Sequence, residues 1–204
     1  MVYNNTNNSS VTIRQVTEDD LLYKSIENDL LTLNVEAKTL RNLLFGQDTQ
    51  CSSPRLLAIT VEDQWVGYVI TCDFFQATYI TCLQIKEAYR RQGYGSLLLR
   101  HVCSNPERTY LLLTEVALSD SEQLATCVHR KIFYIKNGFR SVPIKWPTAF
   151  HYQYDVHIKG PDQELGSLLA ALRKGREVWN TALTCRFSPA AMPTSMPSVP
   201  RRPS

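Results

Sequence analysis

Along the chain the apolar positions change their spacing several times, and each change marks an element. Residues 11–16 alternate, with Val11 and Ile13 set between polar side chains, and predict a first strand. Thr17 followed by Glu18, Asp19 and Asp20 supplies an N-cap with acids in the first turn of a helix carrying Leu21, Leu22, Ile26 and Leu30. Leu40, Leu43 and Leu44 share one face of a second helix that stops near Gly46. After a loop over residues 47–54, the apolar runs 56–61 and 66–73, joined by residues 62–65, predict an antiparallel hairpin. Residues 79–85 form a further strand that runs into a glycine-bearing turn. The leucine-rich helix after that turn ends by Ser104-Asn105-Pro106, because proline disfavours helix in the residue before it. Residues 110–116 are apolar enough for a central strand. Leu124, Val128, Ile132 and Ile135 recur at helical spacing in a helix over 119–137, which Asn137-Gly138 stops. Residues 139–144 and 152–158 predict two last strands.

Composition changes little in this picture but bounds it. Residues 1–10 are polar and uncharged, read as a flexible N-terminus, and lack the basic and apolar parts of a secretion signal. The domain itself spans 11–159. Pro161 with Asp162 and Glu164 opens a helical extension over 160–185, whose Leu165, Leu168, Leu169 and Leu172 form an apolar stripe expected to pack back on the domain. The Pro- and Ser-rich residues 186–204 read as a disordered tail. A net charge of +3 on 204 residues gives no argument for nucleic acid or an anionic membrane as partner. No apolar stretch approaches the roughly 18 residues of a membrane span. The six cysteines lie far apart without a Cys-x-x-Cys pair, which argues against a metal site and a disulfide framework and for an intracellular, cytoplasmic location, a nuclear one staying open. Cys72, Cys82 and Cys103, in apolar segments, read as small buried hydrophobes.

The chemistry concentrates at Arg90, Arg91, Gln92, Gly93, Tyr94, Gly95 and Ser96, between a strand and a helix. Glycines let the backbone approach a ligand, and the amides opening a helix are unpaired and favour negative charge. The stretch reads as a cradle for a phosphate-bearing cofactor; the plain alternative is a tight connection. Downstream, Tyr134 begins a Tyr-x-x-x-Gly-Phe sequence that ends on Gly138 and Phe139.

Arg-x-x-Gly-x-Gly after a strand, followed by Tyr-x-x-x-Gly-Phe closing a later helix, resembles the GCN5-related N-acetyltransferase (GNAT) superfamily. The resemblance covers about residues 11–159 and implies an α/β (α+β) GNAT fold: a mixed central sheet of about seven strands flanked by helices, here with the extra C-terminal helix. It implies acetyl-CoA as co-substrate and transfer of its acetyl group to an amine by direct attack. The phosphates would meet the amides of residues 90–96, and the pantetheine arm would pair with the strand edge at Leu83, Gln84 and Ile85. An amide there, that of Leu83, could hold the oxyanion. Tyr134 matches the tyrosine that serves the leaving thiolate. The strand before the turn lacks the family's frequent glutamate, so Glu115 is favoured as general base, Asp73 being the other available carboxylate. Cys127 and Arg130 depart from the family's usual Asn and Ala. The acceptor stays open between a protein amine, lysine or N-terminus, and a small amine, and a homodimer stays open. The rival reading is a non-catalytic GNAT-like module that binds acetyl-CoA or serves interaction.

Overall fold

The β-branched and apolar runs of the sequence pair into one mixed sheet, because each has one face to bury and a neighbour of matching length. The computed structural model describes residues 2–4, 10–32, 44–45, 52–74, 77–116, 124–146, 154–161 and 166–167. In chain order these form β1 (Val2–Asn4), β2 (Ser10–Gln15), α1 (Leu21–Thr32), β3 (Ser52–Val61), β4 (Gln64–Phe74), β5 (Ala77–Ile85), α2 (Tyr94–Val102), β6 (Thr109–Glu115), α3 (Leu124–Lys136), β7 (Arg140–Trp146) and β8 (Tyr154–Lys159). The eight strands lie in the order β1-β2-β3-β4-β5-β6-β8-β7. Pairing is antiparallel throughout except between β5 and β6.

Two expectations change at the N-terminus. Within residues 1–10, expected to be flexible, Val2–Asn4 adds a short strand to the edge of β2, beside the sheet of about seven that was anticipated. Ladder hydrogen bonds need only backbone, so an uncharged polar segment can pair without an apolar face. The first helix starts later than Thr17: the Asp20 carboxylate accepts from the Leu22 amide at 2.9 Å and is itself the N-cap. Thr17 closes only a turn, its carbonyl accepting from the Asp20 amide. Arg14 on β2 donates to the same carboxylate, fixing the helix start against the sheet.

The two faces of the sheet carry separate cores. Ile26 and Leu30 of α1 bury against Leu56, Tyr68, Ile70 and Cys72 on one face. Leu98, Leu99 and Val102 of α2, with Tyr134 and Phe139, bury against Ile59, Val69, Ile80 and Leu112 on the other. In α3 the spacing of Leu124, Val128, Ile132 and Ile135 marks the helix but not its buried side: all four are 38–49% exposed, while Cys127 and Tyr134 face the sheet. The second helix is described only at Leu44 and Phe45. The C-terminal extension, but for residues 160–161 and 166–167, and the tail lie outside the described residues. Among the described residues no helix is long and apolar enough to cross a membrane.

Candidate active site

At the end of β5 the chain makes a 3-10 turn at Glu87–Tyr89 and then takes left-handed angles at Arg91 (φ 64°) and Gly93 (φ 88°) before α2 begins. No side chain caps that helix. The amides of Tyr94, Gly95 and Ser96 therefore have no intrahelical acceptor, and the first helical bond is Leu97 N–H to the Gly93 carbonyl. Nothing lies within 4 Å of where a Cβ on Gly93 would stand, so the space before the bare amides is open. Gly95 serves packing instead: a Cβ there would meet the Phe133 ring of α3 at 3.2 Å. Arg90 is a strut, its Nε donating to the Ile85 carbonyl at 3.1 Å, and Gln92 donates to the Ala88 carbonyl. Tyr94 turns its ring into the core and offers only its amide.

Below this cradle β5 and β6 part. They pair only at Ala77–Thr109, Thr78–Tyr110 and Tyr79–Leu111, although β5 runs on to Ile85 and β6 to Glu115. A bulge at Thr81 bends β5 where they separate, since Ile70 faces Cys82 while Thr71 faces Ile80. The Lys86 amide donates to Val66 on β4. Strand amides alternate, so those of Ile85 and Leu83 point the other way, into the split, and that of Gln84 points to β4. Of the three edge residues expected from the sequence, two thus offer donors to the opening.

Tyr134 stands beside the split on α3. The end of its helix explains the motif: Gly138 takes φ 85°, its amide donates to Ile135, and the Phe139 amide reaches back to the Tyr134 carbonyl at 3.1 Å. Phe139 then packs edge-on to the Tyr134 ring at 5.8 Å, with Phe133 at 5.2 Å, so the phenol has one orientation. Burial and then the nearby Cys82 thiol push its hydroxyl up to about 12, against a smaller opposing pull from Arg130. No hydrogen bond among the described residues engages that hydroxyl.

The carboxylates separate. Asp73 lies at the far end of the sheet, accepting from Thr78 at 2.5 Å and paired with Arg55 and Arg108, each at 3.1 Å. It is a structural hub, and its candidacy as base falls. Glu115 ends β6 on the open arm, its backbone opposite Tyr154 of β8. Cys82 is half-buried at the split, not fully buried as expected, and burial raises its thiol to about 11. Sequence reasoning passed over Tyr68, whose hydroxyl donates to Asp29 of α1 at 3.1 Å; a contact between positions 39 apart leaves no local signal.

Helix-start amides over open space, and a strand edge with two inward donors, fit a diphosphate joined to an amide-bearing arm. This sheet, parted between β5 and β6, the one parallel pair among the described strands, with a bare helix terminus above the gap, has the GNAT fold. Residues 52–141 match the family model described as an acetyltransferase (GNAT) domain. Among solved structures, a GNAT-family acetyltransferase from Bacteroides thetaiotaomicron is 17% identical with a TM-score of 0.64, over 84% of this chain and 99% of that one. The aminoglycoside 6'-N-acetyltransferase from Enterococcus faecium is 16% identical, with a TM-score of 0.54 over 75% and 99%. Arabidopsis thaliana Naa50, bound to the bisubstrate analogue CoA-Ac-MVNAL, is 19% identical, with a TM-score of 0.51 over 74% and 99%. No curated protein matches the sequence. Among the described residues no cluster of His, Cys, Asp and Glu could hold a metal ion.

Proposed function

We propose that this chain is an acetyl-CoA-dependent N-acetyltransferase that moves an acetyl group to an amine by direct attack. The observation that carries the reading is the split between β5 and β6 under the uncapped start of α2. Acetyl-CoA, when bound, supplies an acetyl group activated as a thioester. The amides of Tyr94, Gly95 and Ser96 would hold its diphosphate, and those of Leu83 and Ile85 its pantetheine amides. The Leu83 amide is the donor for charge developing on the carbonyl oxygen. Tyr134 serves the departing sulfur as a hydrogen-bond donor. With its hydroxyl near 12 and a thiol near 8.5, full proton transfer would be uphill by about 5 kcal/mol. It therefore stays protonated and stabilises the thiolate without consuming its own proton. A lysine-like amine, with pKa about 10.4, must shed a proton to attack, and Glu115 is the carboxylate on the open arm to take it, through water. Aminoglycoside and peptide N-terminal chemistry among the similar structures supports an amine acceptor, protein or small molecule.

Calorimetry with acetyl-CoA, followed by thiol release across an amine panel, tests the reading. Binding with amine-dependent thiol release is expected, and Tyr134→Phe should lower turnover about tenfold while leaving acetyl-CoA affinity unchanged. Binding without release for any amine would favour a non-catalytic module; no binding at millimolar ligand would end the proposal.

A further inference from the structure

The face of the sheet that carries α1 is also buried where no described helix reaches it. Beside the core under α1 lies a separate apolar cluster: Ala77 of β5, Leu111 of β6, Val142 of β7, and Val156 and Ile158 of β8. The side chains that flank it, Tyr79, Leu113 and Tyr154, are strand residues too. α1 packs into the neighbouring core and supplies no side chain to this one. Yet Val156 exposes 0% of its surface, Leu111 1% and Ile158 2%. One layer of strands cannot shield its own face, so a second layer has to lie on it. The burial is complete within a single chain, and a second copy is not needed to supply that layer.

The end of β8 shows where the layer comes from. Side chains alternate along β6, so Thr109 points to the same face as Leu111. Its hydroxyl donates to the Pro161 carbonyl at 3.1 Å. Gly160 makes the turn at φ 111°, pressed against the Arg108 backbone. The chain therefore leaves β8 on the side of the cluster, next to Ala77, which pairs with Thr109. In the sequence that follows, Leu165, Leu168, Leu169 and Leu172 recur as one stripe of a helix. Gly166 and Ser167, which fall outside that stripe, are helical and exposed. At helical rise the stripe is about 10 Å long, which is about the distance from β6 to β7 across β8. The rival seat is the stripe of Leu124, Val128, Ile132 and Ile135 on α3. It belongs to a helix packed on the opposite face of the sheet, and it is 38–49% exposed.

We infer that the chain's own C-terminal segment is this second layer: the leucine stripe of residues 165–172 docks on Leu111, Val142, Val156 and Ile158. The folded unit then runs past Lys159 and includes the segment. Leu111 and Leu113 belong to β6, the strand that also carries Glu115, so the docked stripe braces one arm of the split from the side away from α3. The inference stands apart from the acetyl-transfer reading and holds whether or not the chain binds acetyl-CoA.

Urea denaturation of the full chain tests the docking. Leu169→Glu, on the stripe, should lower the midpoint, and Ser167→Glu, outside it, should leave the midpoint unchanged. A double-mutant cycle then locates the seat, with alanine variants mild enough to fold. Leu169→Ala and Val156→Ala together should lower the midpoint by less than the two single losses combined, because contacting residues are coupled. Leu169→Ala and Ile132→Ala together should be additive. Coupling to Ile132 in place of Val156 would put the segment on α3 and overturn the inference. Equal midpoints for Leu169→Glu, Ser167→Glu and wild type would overturn it as well. So would a wild-type dimer, measured by sedimentation, that Leu169→Glu converts to monomer, since the stripe would then serve a second copy.

Discussion

The strand pair β5–β6 is two regions in one. Over Ala77, Thr78 and Tyr79 it is zipped, and the seam is bolted from outside. Arg108 donates to the Thr78 hydroxyl at 2.5 Å and the Ala77 carbonyl at 2.8 Å, and Asp73 ties Arg108 to Arg55. Beyond Tyr79 the same strands share no ladder bond, and the amides of Leu83 and Ile85 face open space. The gap is not slack. A parallel pair closed at one end and bent by a bulge at the other holds its free donors apart at a set angle, which is what an extended ligand needs. Stability belongs to the closed half and binding to the open half.

Substitutions at the two halves should therefore fall into two classes. The largest effect is expected at the closed end. A Cβ on Gly160 would lie 2.4 Å from the Arg108 carbonyl oxygen, at φ 111°. Gly160→Ala should cost about 3 kcal/mol by urea denaturation, with acetyl-CoA affinity of the folded fraction preserved. Asp73→Ala leaves two guanidinium groups without their shared partner; because the cluster is partly exposed, about 1–2 kcal/mol is expected, again with binding intact. At the open end the pattern should invert. Gly93→Ala meets no protein atom, so its cost is about 1 kcal/mol of backbone strain, but acetyl-CoA affinity should drop tenfold or more. A stability loss at Gly93 larger than that at Gly160 would dissolve the distinction.

The smallest effect concerns the imidazole behind the open arm. His157 is buried between the Thr114 hydroxyl at 2.8 Å and that of Ser141 at 3.2 Å, and burial lowers its pKa from 6.5. The unfolded chain then takes up the proton more readily. Its contribution is fully present above pH 6.5 and is lost as pH falls below that value. Thermal melts should show a falling Tm from pH 7 to pH 5, less steep in His157→Gln.

Much of this architecture was legible because its signals are local. The glycine turn and the Tyr-x-x-x-Gly-Phe sequence each encode a backbone geometry within a few residues, and both sit beside the split. The hairpin was read from its apolar runs, and its two-residue turn at Glu62 and Asp63, both with positive φ, suits the strand twist. What escaped depends on partners distant in sequence. The spacing of Leu124, Val128, Ile132 and Ile135 says helix, but the position of the sheet decides the buried side, and it chose Cys127 and Tyr134. Asp73 reads as an available strand-end carboxylate, but Arg55 of β3 and Arg108, in the bend before β6, claim it. Thr17 reads as the cap in sequence, but Asp20, held by Arg14 from β2, takes the role.

The extra residue at Thr81 works as a phase shifter. Its hydroxyl donates to the Ile70 carbonyl at 3.1 Å, and because it has no partner on β4 the alternation of β5 skips one step across it. Ile80 and Leu83 thereby share one face, and Cys82 the other, each beside its own partner on β4. Excising this single position would leave those pairs in register and every buried side chain on its face, and would remove only the bend. A one-codon deletion there should therefore spare the core while straightening β5 toward β6, narrowing the gap and weakening ligand capture.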